Sequence, residues 1–204
     1  MTTRGVVQSA YGVVLRSLAA VTVAMMAFVQ LAIPVAADEA AIQFVQRMTR
    51  ELIAANRSGS ILAFSEAMQR NAHVGPIGNY ALGSHQAKLP QADRDTYLKG
   101  MVRFISRYAA SESQKYHVSH VQITGPARRV NAGVMVDTKV VLRDGASYDV
   151  QWLLQSSGGG YKVRDAKVSV LLGEYWMTPF LKDLFEKYIA ENGSVQALVV
   201  ALNR

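Results

Sequence analysis

An α+β fold is predicted for this chain, with helices first, a four-stranded antiparallel sheet in the middle and helices last. Three observations predict it. Apolar residues recur every three or four positions from 41 to about 115, the mark of helices with one buried face. From there to about 172 they recur every second position, and from 178 onward the helical spacing returns. The alternating segments are separated by turn-length stretches rich in Gly and Asp, which makes the sheet an antiparallel meander and excludes a βαβ arrangement.

The first 37 residues are set apart from that fold. Arg4 and Arg16 are followed by no charged residue until Asp38. Between them and "DEA" run "LAAVTVAMMAFVQLAIP" and "VAA", the basic start, apolar centre and small-residue end of a secretory signal peptide cut after Ala37. An uncleaved anchor is the alternative, since residues 18–33 approach spanning length. Gln30, Pro34 and the small-residue site favour cleavage. The expected mature chain, 38–204, is 167 of the 204 residues and suits one domain with a sizeable core. Without Arg4 and Arg16, the 22 Lys and Arg become 20 against 15 Asp and Glu, a net charge of +5. That excess draws an exported protein towards anionic membrane surfaces or simply aids its solubility. With no cysteine, the fold is expected to rely on its core and to lack both disulfides and thiolate-bound metal.

The first helix carries Ala41, Phe44, Val45, Met48, Leu52 and Ile53 on one face. "NRSGS" interrupts it, and "ILAFSEAMQ" brings Ile61, Phe64 and Met68 together in a second. "HVGPIGNYALG" reads as a third, with Ile77, Tyr80 and Ala81 on one side and Gly83 as its stop. Pro90 opens the longest helix, with Asp93 and Asp95 near its positive end and a stripe of Tyr97, Leu98, Met101, Ile105 and Tyr108. "YHVSHVQIT" is the first strand, and Arg128-Arg129 fall in the turn after it. "AGVMVDTKVVL" follows, with Val134, Val136, Thr138, Val140 and Leu142 on one face. Asp144-Gly145 signals a hairpin into "YDVQWLLQ", whose inward side is Tyr148, Val150, Trp152 and Leu154. After "SSGGG" the fourth strand starts with Tyr161 and Val163 inward, but its later apolar positions are Ala166, Val168, Val170 and Leu172. The change of parity predicts a bulge near Arg164-Asp165. Thr178 and Pro179 read as N-cap and first residue of a helix through Phe180, Leu181, Leu184, Phe185, Tyr188 and Ile189. Asn192-Gly193 ends it, and Ser194 caps a last helix held by Leu198, Val199 and Leu202.

Catalytic patterns are scarce. There is no G-x-S-x-G elbow and no cysteine nucleophile. His117 and His120, three apart on a strand, point to opposite faces, so no metal site is expected. The glycines of "SSGGGYKVRD" precede a strand and lack the helix N-terminus of a phosphate loop. Val134, Val136, Val150, Trp152, Leu154, Val168 and Val170 instead give the sheet an inner face whose one polar group is the Trp152 N–H. Each of these is also a plausible core residue. With the helix stripes contributing Ile77, Tyr80, Met101 and Ile105, and Tyr148 joining from the sheet, there is more bulk than one thin layer needs. An apolar cavity suited to a lipid-like guest follows. Lys99, Arg103 and Arg107, four apart on the longest helix, form a row that is either a solvated face or a surface for phosphate headgroups or an acidic partner. An enzyme acting on a hydrophobic small molecule is the competing reading, and it would use Asp165 or Tyr148.

Four segments carry a family resemblance. "IGNYALGSH" resembles a short helix ending in Leu82-Gly83, and "ADRDTYLKGMVRFISRYA" a long amphipathic helix. "YKVRDAKV" resembles a final strand with Asp165 at its aspartate, and "TPFLKDLFEKYIAENGSVQALVVALNR" a Phe-containing helix with a Leu-rich last helix. In this order they are similar to the MlaC-type periplasmic phospholipid-binding proteins, the toluene-tolerance auxiliary components of ABC transporters. This sequence departs from the pattern in Tyr161 where Trp is common, in His85-Gln86 after Leu-Gly, and in "VLLGEYWMTPF" in place of a Gly-Val-Ser stretch. The resemblance implies a periplasmic carrier without enzymatic activity that holds phospholipid acyl chains between sheet and helices. It implies no cofactor and no nucleic acid. Its partners would be an inner-membrane ABC transporter complex with a membrane-anchored lipid-binding subunit and an outer-membrane lipoprotein complex, and its task the maintenance of outer-membrane lipid asymmetry. Leu172, Tyr175, Trp176 and Phe180 would then lie near the pocket mouth. A hopanoid or other isoprenoid would suit such a pocket equally.

Overall fold

In the computed structural model the described backbone covers residues 33–170 and 173–204, with side chains described for 39–169 and from 173 on. The predicted signal peptide lies almost wholly outside these residues. Residues Ala40–Arg204 form one packed unit.

Helix α1 (Ile33–Ser58) buries Ala41, Phe44, Val45 and Met48, the spacing that places them on one face. Ser60 caps α2 (Ile61–Asn71) by accepting from the Ala63 N–H at 3.2 Å. Here the apolar pattern misleads at one end: Phe64 and Ala67 are buried, but Ile61 faces solvent. Helix α3 (Val74–Leu82) stops at Gly83, whose φ of 52° few other residues adopt. Two short 3₁₀ turns lead to α4 (Arg94–Ser113).

The sheet has six strands, two more than the pattern predicts: β1 (Val118–Ile123), β2 (Arg128–Val130), β3 (Gly133–Leu142), β4 (Ser147–Ser157), β5 (Gly160–Val170) and β6 (Gly173–Trp176). All pairings are antiparallel, in the order β1-β3-β4-β5-β6, with β2 also on β3. Residues 128–130 are therefore a strand and not a turn. Strand β2 is only three residues long and exposed throughout, so it shows no alternation to read. Arg128 is fixed there by bonds of 3.0 and 2.7 Å to both carboxylate oxygens of Asp137. Strand β6 was merged in the sequence pattern with the start of the next helix. Gly173, at φ 140°, instead faces Val170 and sends Glu174 and Tyr175 back along β5.

Register sorts the inner face into rows. Val134, Leu154 and Val163 form one; Val136, Trp152 and Ala166 the next; then Thr138, Val150, Val168 and Tyr175; then Val140 with Tyr148. The rows stay aligned because of the expected bulge. Leu153 pairs with Asp165 and Leu154 with Val163, so Arg164 is the extra residue that restores the parity of β5. The outer face mixes apolar residues such as Met135 and Leu153 with charged ones, and carries ion pairs of 2.7 Å between Lys139 and Asp149 and between Lys167 and Glu174.

Helix α5 (Met177–Asn192) ends at Gly193, in the left-handed region, and Ser194 caps α6 (Val195–Leu202) through the Ala197 N–H. Thr178 does not cap α5. The capping position is Trp176, whose side chain makes no cap bond. The acceptor comes from the sheet: Asp165 Oδ1 receives the Thr178 N–H at 2.9 Å and the Ala166 N–H at 2.8 Å. A carboxylate there faces the positive end of the helix dipole.

Two cores result. Under α1, Phe44, Val45 and Met48 pack on Val134, Val136, Leu154 and Val163. The other is helical, built from α3, α4, α5 and α6 around Tyr97 and Phe185, whose rings meet edge to face at 6.2 Å. The Tyr97 hydroxyl donates to Gly78 O at 2.8 Å, and burial pushes its pKa far above the ordinary phenol value.

Candidate functional site

Between these cores the packing opens. A cavity of about 780 Å³ lies between the sheet and the helices. Trp152, Ala166 and Val168 form its sheet wall; α4 contributes Phe104, Ile105 and Tyr108, and α5 contributes Met177, Phe180, Leu181 and Leu184. Its mouth is marked by side chains that line the cavity and yet meet solvent: Tyr108 at 65% exposure, Phe180 at 55% and Tyr175 at 45%. A second chamber of about 730 Å³ extends along the sheet, bounded by Tyr148 and Val150, by Leu52 and Ile53 of α1 and by Ala109 of α4. A third, of about 210 Å³, reaches inward past Met68 and Ile105 to Ser106. Trp152 lines all three chambers.

The walls offer almost no free polarity. Trp152 Nε1 donates to Thr138 Oγ1 at 3.0 Å, and that hydroxyl donates in turn to Val150 O at 2.9 Å. Asp165 borders the first chamber with Oδ1 held by two backbone N–H groups. Tyr148 lines the second, and burial raises its pKa, which keeps the phenol neutral. No cluster of His, Cys, Asp or Glu that could hold a metal occurs among the described residues.

Of the side chains expected at the pocket, Ile77, Ile105, Tyr148, Val150, Trp152, Val168 and Phe180 line a chamber. Val134, Val136 and Leu154 do not: they occupy the rows that α1 covers and are solid core. Met101 is fully buried among the helices, and Tyr80 is exposed on α3 and lines no chamber. Trp176 pairs with Lys167 and so lies in the outer-face register, while its neighbour Tyr175 takes the inner row. The Val170 side chain and Leu172 lie outside the described residues. The pattern missed Met68, Phe104, Ala166, Met177 and Leu184. Phe104 sits beside its helix's stripe and Leu184 within its own, and only the opposing surface shows that both turn to the cavity.

The basic row divides. Arg103 donates to Asn203 O at 3.3 Å and Arg107 to Leu202 O at 3.4 Å, so both satisfy carbonyls where α6 ends. Lys99 is exposed. Gly100, between them, admits the end of α6: a Cβ there would come within 2.4 Å of the Asn203 amide.

Comparison with known proteins gives a family and a fold. The family model described as MlaC protein matches residues 39–203. Among solved structures, a phospholipid-binding protein from Ralstonia solanacearum, in complex with a phospholipid, superposes with a TM-score of 0.62. It is 19% identical, and the match covers 79% of this chain and 93% of that one. No curated protein matches.

Proposed function

The chain belongs to the MlaC protein family, and from that premise we propose that it is a periplasmic carrier of phospholipid. The observation that carries this reading is the 780 Å³ apolar cavity with its open, aromatic rim. A cavity of about 150 Å³ takes up benzene, roughly 25 Å³ per carbon, so this chamber has room for on the order of 30 carbons, or two long acyl chains. Each CH₂ taken from water contributes about 0.8 kcal/mol. The Ralstonia solanacearum protein, which shares the fold, was solved with a phospholipid bound, and this supports the same ligand class here.

In this reading the acyl chains enter past Tyr175, Phe180 and Tyr108, and the headgroup stays at the mouth. The Trp152 N–H and Asp165 Oδ1 are already engaged by the protein itself, which leaves the walls largely hydrocarbon to a guest. No bond is made or broken. The carrier would exchange lipid with an inner-membrane ABC transporter complex, through its membrane-anchored lipid-binding subunit, and with an outer-membrane lipoprotein complex. The outcome would be maintenance of outer-membrane lipid asymmetry.

The test is native mass spectrometry, with lipid extraction, of protein expressed from the full chain and purified without detergent. One phospholipid mass per chain is expected. An isoprenoid in the extract would replace the ligand class and leave the carrier role. Protein that is free of lipid and stays so after incubation with phospholipid vesicles overturns the reading.

A further inference from the structure

The smallest chamber contains a feature that ordinary lipid tails do not explain. Ser106 is 1% exposed, lines that chamber, and its hydroxyl has no hydrogen-bond partner among the described residues. Three other buried hydroxyls each donate to a backbone carbonyl. Thr49 donates to Val45 O at 2.8 Å, Ser113 to Ala110 O at 2.7 Å and Thr138 to Val150 O at 2.9 Å. Thr49 and Ser113 show that a helical hydroxyl here readily turns back on its own backbone. Ser106, on the same helix as Ser113, makes no such bond and lines the chamber. Nor does the one polar neighbour help: the Asn71 amide nitrogen donates to Glu51 Oε2 and Ala67 O. The rest of the wall is hydrocarbon from residues such as Met48, Leu52, Phe64 and Met68, with the Trp152 ring.

A buried hydroxyl without a partner is costly, and native structures rarely keep one without a use. This one lies deep in the ligand space. Its chamber shares Met68, Ala72, Ile105, Trp152 and Val163 with the main cavity, so it continues that cavity inward. At about 210 Å³ it takes on the order of eight carbons on the benzene scale, the end of a chain and no more.

We propose that Ser106 forms a polar subsite for an oxygen substituent on the distal part of a bound chain, so that hydroxylated acyl chains are preferred ligands. An unsubstituted tail offers Ser106 only C–H groups and leaves its hydroxyl unsatisfied. A hydroxyl on the tail supplies both a donor and an acceptor, and it is itself relieved of burial in hydrocarbon. The proposal rests on the carrier reading and adds a selectivity to it.

The experiment is competition against a fluorescent lipid on delipidated protein. The competitors are octadecanoic acid and octadecanoic acids hydroxylated near the carboxylate, in mid-chain or near the methyl end. Wild type should bind one of the two distal isomers roughly five- to tenfold more tightly than the unsubstituted acid. Ser106→Ala should erase that preference while holding or improving affinity for the unsubstituted acid; alanine is the better helix former, and a thermal melt checks the fold. A flat series in wild type, as expected if water in the chamber serves Ser106, overturns the subsite and leaves the carrier. So does a preference that survives Ser106→Ala. If the fluorescent lipid binds and no acid displaces it, the subsite falls and the carrier stands; if the fluorescent lipid itself does not bind, the carrier reading falls and the subsite with it.

Discussion

The two halves of α4 have similar composition and opposite fates. Its first half sets Tyr97 and Met101, both buried, into the helical core; its second half sets Phe104, Ile105 and Tyr108 along a void. The difference lies in what faces the helix. Gly100 lets the end of α6 close on the first half, and Arg103 and Arg107 hold it there by its terminal carbonyls. Opposite the second half stands the sheet, held off by α1 at one end and by α5 at the other. The same division runs through the sheet. Val134, Val136 and Leu154 lie under α1 and are packed solid, whereas Val163 already borders the first and third chambers and Trp152, Ala166, Val150 and Val168 face space. A void in a protein is therefore a matter of spacing between elements, and the residues that line it need no special chemistry.

Substitutions should separate the two halves cleanly. The largest effect is expected from Phe185→Ala, which empties a site that cannot collapse. It should cost about 3–5 kcal/mol, read as a fall in the denaturation midpoint, and whatever still folds should retain lipid. Ala166→Phe tests the other half by placing a ring in the chamber. Displacing two or three CH₂ groups of ligand costs about 2 kcal/mol of binding, roughly a thirtyfold loss of affinity. Stability should stay within about 1 kcal/mol of wild type, because the ring enters free space. Equal damage to folding and binding by both substitutions would mean that the cavity is core after all.

Asp165→Ala addresses the boundary between the halves, since this carboxylate ties β5 to the start of α5. A loss of about 1 kcal/mol is expected, with Asp165→Asn recovering part of it because its amide oxygen still accepts. Lipid exchange with vesicles should quicken in the alanine variant more than unfolding does. The smallest effect at neutral pH comes from the tyrosines, and it sharpens the comparison at high pH. Burial raises the pKa of both Tyr97 and Tyr148 above 10.0. The unfolded chain then loses these protons first, so the stability they confer is complete below pH 10 and drains away as pH climbs past it. A near-ultraviolet titration should find Tyr97, in the solid half, ionising only when the chain unfolds, and Tyr148, beside a chamber, ionising before that.

Much of this was legible in the sequence, and the gaps have causes. Strand parity, the bulge at Arg164, the Ser194 cap and the glycine stops all follow from neighbours within a few positions, and such local rules were read correctly. Strand β2 was missed because three exposed residues on an edge carry no periodicity. The cap of α5 was misassigned because Thr178-Pro179 satisfies the local rule, while the real acceptor sits 13 residues earlier in sequence, on the adjoining strand. Val136 and Val150 show the limit best. They occupy equivalent inward positions on paired strands, yet one is solid core and the other lines a chamber. Periodicity reports which way a side chain points and carries no information on how far away the opposite wall stands. The arginine row was visible as a row, but its partners lie about a hundred residues away, at the end of α6.

Trp152, shared by all three chambers, has an optical consequence. The chain holds two tryptophans, and Trp176 lines none of the chambers. Guest molecules arriving in any compartment must therefore alter the surroundings of one particular indole, whose orientation is pinned by its bond to Thr138. The protein carries its own fluorophore at the crossroads of its interior. With Trp176→Phe removing the second emitter, loading and unloading become visible as a change in emission, in real time and without a label.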